Sequence, residues 1–222
     1  TRQEATIYQC LLGEGKMSGY EVAKQTGISR SNAYNSLASM TEKGAAYLVE
    51  EGNTRKYVPV PVEEFCKNRI RRMEEARQWL KIHVPSEKTH VEGYITIEGA
   101  RNILDKMRNL LDKVEQRVYI SCTRNYLLLL VRELEELKRA GKKVVIVTDQ
   151  PVTFSGAKVY VGKSRGMQIG VIADSRYVLT GEYGEGSMNT CLYSGQKNFV
   201  ELYKTALGNE IKLLTIHCLL YT

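Results

Sequence analysis

The sequence predicts two structural classes in one chain, an α+β unit at the N-terminus and an α/β layer after it, joined by a long helix. Three observations carry the division. The first sixty residues hold three amphipathic stretches and then two short alternating runs split by turn residues. Residues 62–84 repeat apolar side chains at alternating spacings of three and four. From about Glu92 onward, short apolar runs alternate with helix-length amphipathic ones, the pattern of a sheet covered by helices.

In order, a first helix from Arg2 to about Glu14 presents Ala5, Ile7, Tyr8, Leu11 and Leu12 as one apolar face. Ser18 and Glu21 have capping-box spacing and open a second helix whose face is Tyr20, Val22 and Ala23. Gly27 permits a tight turn, Ile28 plugs the core, and Ser29 caps a third helix that stops at Gly44. The buried stripe of that helix is Ala33, Tyr34, Leu37 and Met40. Arg30, Ser31, Asn32, Asn35, Ser36 and Ser39 are therefore expected to face solvent or a partner. Nothing acidic stands between Glu21 and Glu42, whereas a later helix carries Glu133, Glu135 and Glu136 on its solvated side. Small polar donors with one arginine suit phosphates and base edges. Ala45–Val49 and Thr54–Val58 read as strands around the turn Glu51-Gly52-Asn53, with Arg55 and Lys56 placed for a phosphate backbone and Pro59 and Pro61 releasing the chain. Three helices followed by this hairpin are the parts, in order, of a winged helix-turn-helix.

The long helix, Val62 to Val84, begins after Pro61 with Glu63 and Glu64 at its positive end. Its seam is Val62, Phe65 or Cys66, Ile70, Met73, Ala76, Leu80 and Val84, about three heptads, with Lys and Arg dominating the other faces. Two readings compete: a coiled coil with a second copy, or packing on the chain's own later part. Pro85 to Val91 reads as a linker. Beyond it come a strand Gly93–Ile97, a helix Gly99–Glu115, a strand Val118–Cys122, a helix Asn125–Ala140 stopped by Gly141, and a buried strand Val144–Thr148. Further strands at Lys158–Val161, Gln168–Ala173, Tyr177–Thr180 and Thr190–Tyr193 precede a helix over about Gln196–Ile211.

Composition narrows the function classes. The chain of 222 residues carries a net charge of +7, compatible with a polyanionic partner. Residues 1–60, however, hold seven Lys or Arg against six Asp or Glu, only +1. Cys10, Cys66, Cys122, Cys191 and Cys218 form an odd set without a C-x-x-C pair, which favours reduced thiols in a cytoplasmic setting and argues against zinc. The longest apolar run, Tyr126–Val131, falls far below the roughly 20 residues a membrane helix needs. The chain opens on Thr1 rather than Met, an indication that a few native residues precede it, and nothing there reads as a signal peptide.

Taken in this order, the parts resemble the TrmB-type transcriptional regulators over nearly the whole chain and most strongly in the first sixty residues. The resemblance implies a winged-helix DNA-binding domain over 1–61, a dimerising helix over 62–84 and, over 92–222, an effector or regulatory domain similar to the phospholipase D fold. Members of the family are regulators in archaea and bacteria, several responsive to sugars. Phospholipase D enzymes carry H-x-K-x-x-x-x-D, whose His attacks phosphorus while Lys and Asp serve the phosphate and the imidazole. The matching stretch here runs Met167 to Asp174, with Met167 at the His position, Ile169 at the Lys position and only Asp174 kept. No catalytic residue, cofactor or metal is therefore expected, and His83, His90 and His217 do not substitute for the missing nucleophile.

A scaffold without its chemistry is open to reuse for binding. The Gly-rich stretch Thr180 to Asn189 offers Glu182, Tyr183, Ser187 and Asn189, and with Asp174 these are the candidate effector residues. The plainer reading is a hairpin loop, with Asp174 starting a turn. Expected partners are double-stranded DNA, a second copy of the chain and a small effector such as a sugar; no membrane partner is expected. Two alternatives stay open at this point: a winged-helix protein-interaction module without DNA, and a thiol-based sensor using Cys10, Cys66, Cys122 or Cys191.

Overall fold

A computed structural model describes residues 1–52, 54–85, 93–163, 165–184 and 189–220, the last four by backbone alone. Asn53, linker residues 86–91 with His90, and Ser187 lie outside the described residues, as do the side chains of His217 and Cys218. The chain divides into two compact units, Thr1–Glu87 and Lys88–Thr222.

The first unit contains α1 Arg2–Glu14, β1 Met17–Ser18, α2 Gly19–Thr26, α3 Arg30–Lys43, β2 Ala46–Glu51, β3 Thr54–Pro59 and α4 Val62–His83. Local chemistry sets the helix limits. The Ser18 hydroxyl accepts from the Glu21 N–H while the Glu21 carboxylate accepts from the Ser18 N–H, so two of the free amides at the start of α2 are satisfied. Gly27 then turns the chain with φ 70°, a conformation costly for any residue with a Cβ. Ile7, Leu11, Val22, Ala33, Leu37 and Met40 interlock as the core of the three helices. Ala5 and Leu12, expected on the buried face of α1, are exposed, because a 13-residue helix packed on one side buries only a narrow stripe.

The small sheet has three strands in the order β1-β3-β2 rather than the expected two. β1 pairs Met17 with Tyr57 and Ser18 with Lys56, and two residues are too few to show alternation in a sequence. None of the 22 residues of α4 is buried, and its start is held by the Tyr8–Phe65 ring contact at 5.9 Å and by Tyr47 Oη donating to Glu64 at 3.0 Å.

In the second unit, β4 Tyr94–Glu98, β5 Arg117–Ser121, β6 Lys143–Thr148, β7 Lys158–Val161, β8 Gln168–Ala173, β9 Tyr177–Glu182 and β10 Thr190–Ser194 form one sheet in the order β4-β10-β9-β8-β5-β6-β7. β5, β6 and β7 run parallel, and the other pairings are antiparallel. Helices cover both faces. α5 Ala100–Asp112 and α7 Val131–Arg139 pack on Val118, Ile120, Ile169 and Val171, while α8 Lys197–Leu220 packs on Val147, Ile172 and Val178 through Val200 and Leu207.

One helix expected over 125–140 is instead α6 Arg124–Leu127, a 3₁₀ turn Leu128–Leu130, and α7. Tyr126–Val131 is apolar all round, so no α-helical period singles out a buried face. The 3₁₀ turn brings Leu127 and Leu130 to the same side, where both are fully buried, and leaves Leu128 and Leu129 outside. Among the described residues, no helix is long and apolar enough to cross a membrane.

Candidate functional site

α3 is built as a half-buried cylinder. Ser29 Oγ accepts from the Asn32 N–H at 3.4 Å and fixes the first turn, and Gly44 closes the last. Arg30, Ser31, Asn32 and Asn35 are exposed on the side away from Ala33, Leu37 and Met40. No acidic residue occupies the first turn of α3, whereas Glu4, Glu21 and the pair Glu63–Glu64 occupy those of α1, α2 and α4. The positive end of the α3 dipole is thus left without a carboxylate.

Two of the six expected face residues belong elsewhere. Ser36 is 9% exposed: it stands three residues after Ala33 and four before Met40, on the buried side, where a small hydroxyl lets the helix pack closely. Ser39 is half-buried and hydrogen-bonded to Glu4. The Lys43 ammonium, 2.5 Å from Glu4, is the main cause of a Glu4 carboxyl held well below its usual range, with Ser39 adding to it.

Tyrosines take the vacated surface. Tyr34, expected inside, is 44% exposed and lies over Gly19, where any Cβ would overlap its ring. Tyr20, expected on the buried face of α2, is 49% exposed, and the Arg30 guanidinium carbon sits 4.5 Å from its ring centre. Lys24, one helical turn after Tyr20, is also exposed. Sequence reasoning missed all three, although a glycine directly after the Ser18 cap was a signal that something large lies on the start of α2.

On the wing, Arg55 and Lys56 are matched by the chain's own carboxylates. Arg55 Nε lies 3.3 Å from Glu50, and Lys56 Nζ lies 3.1 Å from Glu51, which also pairs with Lys16. Lys16 and then Lys56 hold the Glu51 carboxyl below its ordinary value. The cations are exposed enough to exchange these partners for phosphates, at the cost of releasing a carboxylate for each.

The second unit does not gather the expected effector residues. β8 and β9 pair Gln168 with Glu182 at one end and Ala173 with Tyr177 at the other, so Asp174 stands at the opposite end of the ladder from Glu182, Tyr183 and Asn189. Five residues of strand separate them by about 17 Å. Asp174 is also occupied. Its carboxylate accepts from the backbone N–H groups of Glu115, Gln116 and Arg117 at 2.7, 2.8 and 2.8 Å, in a left-handed turn with φ 49°. Burial raises its pKa, but those three donors outweigh it and the net direction is down. Tyr183 is buried edge-on against Tyr126 at 4.9 Å, and the Asn189 side-chain oxygen accepts from the Gly184 N–H at 2.6 Å. Glu182 alone among these four described residues is exposed.

Ile169, where the phospholipase D pattern has Lys, is fully buried among α5, α7 and the sheet. Two open depressions of about 540 and 500 Å³ lie along α5 and α7 around Arg108, Arg132 and Glu133, and no candidate effector residue lines either. Burial pushes the Cys122 thiol up to about 12 and Cys191 up to about 11, and it raises Cys10 as well, the reverse of what a reactive thiol needs. Among the described residues, no group of three His, Cys, Asp or Glu is placed to hold a metal ion.

The family model described as "Sugar-specific transcriptional regulator TrmB" matches residues 1–63. The protein YrhO of Bacillus subtilis (strain 168), described as uncharacterized, is 30% identical over 213 residues, which are 95% of this chain and 72% of YrhO. TrmBL1 of Pyrococcus furiosus, described as an HTH-type sugar sensing transcriptional regulator, is 24% identical over 202 residues, 88% of this chain and 56% of its own length. The solved structure of TrmBL2, described as an archaeal chromatin protein with a novel mode of DNA binding, is 18% identical and covers 96% of this chain and 93% of its own, with a TM-score of 0.49.

Proposed function

The chain belongs to the TrmB family of transcriptional regulators, and from that premise we propose that it reads double-stranded DNA through the exposed side of α3. One observation carries the reading: Arg30, Ser31, Asn32 and Asn35 stand exposed on the front half of a helix whose first turn lacks a carboxylate. In a major groove, arginine and asparagine donate to base edges and serines to phosphates, while Arg55 and Lys56 on the wing track the backbone. Sequence choice then belongs to α3, and the wing adds affinity without choice.

The same reading makes the regulator a cytoplasmic dimer. α4 leaves Ile70, Met73 and Leu80 more than half exposed on the expected seam, and a second α4 laid along it would remove that surface from water. Two reading heads at a fixed separation fit a two-fold operator. The second unit is the regulatory part. With Met167 and Ile169 in place of a nucleophile and a phosphate cation, its role is binding rather than hydrolysis, and the effector class proposed is a sugar or a similar small metabolite. Glu182 is the exposed member of the candidate effector set among the described residues.

The test is selection of duplexes from a randomised pool at low salt, followed by affinity measurements across a salt series. The expected result is a recurrent, two-fold related motif whose binding weakens linearly on a log–log plot, by about 0.9 per phosphate contact. Retention of no duplex at low salt would overturn the reading in favour of a protein-interaction module, the alternative to which the near-neutral first sixty residues and the paired wing point.

A further inference from the structure

We propose that Tyr20 and Arg30 act as a stacked pair that sets the preference for guanine at one position of the bound duplex, Arg30 donating to the base and Tyr20 positioning it. This inference rests on the DNA-binding reading above. Two contacts tie the starts of α2 and α3 together: Tyr34 covers Gly19, and Arg30, one helical turn earlier on α3, lies over Tyr20 with its guanidinium carbon 4.5 Å from the ring centre. A guanidinium stacked on a ring engages through its face and keeps its in-plane N–H donors free. That planar fork matches the O6 and N7 acceptors of guanine.

Arg30 differs from the wing cations of the candidate interface. Arg55 and Lys56 are held by Glu50 and Glu51, whereas Arg30 has no carboxylate partner among the described residues. Its place at the first position of α3 sets a cation at the positive end of a helix dipole, an arrangement that does not favour the isolated helix but does favour an electron-rich partner. Tyr20 is half exposed, outside the core formed by Ile7, Val22 and Leu37. By limiting the swing of Arg30 before DNA arrives, the ring reduces the freedom lost on binding. Tyr20 touches no base in this arrangement and is a positioning residue.

The full chain and its Y20A, Y20F, R30A and R30K variants are compared on the duplex that the wild type selects. Each guanine is replaced in turn by adenine and by 7-deazaguanine, which lacks the N7 acceptor. At one position per half-site the wild type is expected to lose about 5- to 100-fold in affinity on replacement, the range for a bidentate contact. R30A and R30K abolish that preference. Y20A weakens it about two- to fivefold at that position alone, the scale of an exposed cation–π contact, and Y20F restores it. A Y20A protein that discriminates as the wild type does, or that loses affinity equally at every position, would overturn the proposal. If the wild type retains no duplex, the DNA-binding reading fails. If it selects a motif in which no position responds to Arg30, the pairing alone fails.

Discussion

On α3, Arg30, Ser31, Asn32 and Asn35 stand exposed with their side chains uncommitted to the core, while on the β8–β9 ladder Asp174 gives its carboxylate to three backbone amides and Tyr183 lies buried against Tyr126. Both stretches hold the polar side chains that a sequence reading singles out. The difference lies in where their hydrogen-bonding capacity goes. Groups whose bonds are satisfied inside the unit maintain its shape, and groups left open to solvent are available for a partner.

The sharpest way to break that contrast is to install at Met167 and Ile169 the His and Lys of the phospholipase D pattern. Ile169 is fully buried, so Ile169→Lys would bury an unpaired ammonium at a cost of several kcal/mol. Urea denaturation of I169K is expected to show the second unit unfolded or melting far earlier, and M167H/I169K is expected to leave bis-p-nitrophenyl phosphate intact. A stable double variant that hydrolyses it would show that the stretch from Met167 to Asp174 can hold a phosphodiesterase site.

Next in size is the Asp174 anchor. Asp174→Ala strands three backbone donors and is expected to destabilise the second unit by about 1–3 kcal/mol in urea at pH 7. Because the folded pKa is depressed, the carboxylate's contribution is complete above the ordinary value of 3.8 and fades as pH falls through the lower folded value. The gap between wild type and D174N should therefore narrow toward pH 3. A gap unchanged by acid would show that the charge of Asp174 contributes nothing to folding.

The smallest effect is expected on the wing, where a phosphate contact displaces a carboxylate that is already paired. Arg55→Ala or Lys56→Ala is expected to weaken every duplex alike by about 1 kcal/mol or less. Glu51→Gln, by releasing Lys16 and Lys56, strengthens all of them slightly without altering their ranking. Anisotropy titrations on selected and scrambled duplexes read both outcomes, and a wing variant that reordered the duplexes would move sequence choice away from α3.

Much of the first unit was legible because its determinants are local. Ser18 and Glu21, Ser29, Gly27 and Gly44 act on neighbours within four residues, and each does what its spacing implies. The exchange between Tyr34 and Ser36 was not legible. Both lie at the margin of the stripe formed by Ala33, Leu37 and Met40, and only the close approach of Gly19 decides that the ring goes out and the hydroxyl in. Asp174 escaped for a different reason: its partners Glu115 to Arg117 are 57 to 59 residues away in sequence and meet it only once β8 has formed beside β5. Tyr20 and Arg30 are likewise joined by folding across the α2–α3 turn, a contact that neither helix shows alone.

The most direct test of α3 as the reading surface is the ratio of affinities for the selected and a scrambled duplex, measured for the wild type and for R30A/N32A/N35A at the same salt concentration. The triple variant is expected to bring the ratio close to one while keeping weak, salt-sensitive binding to both duplexes. A ratio equal to that of the wild type would show that sequence is read elsewhere than on α3.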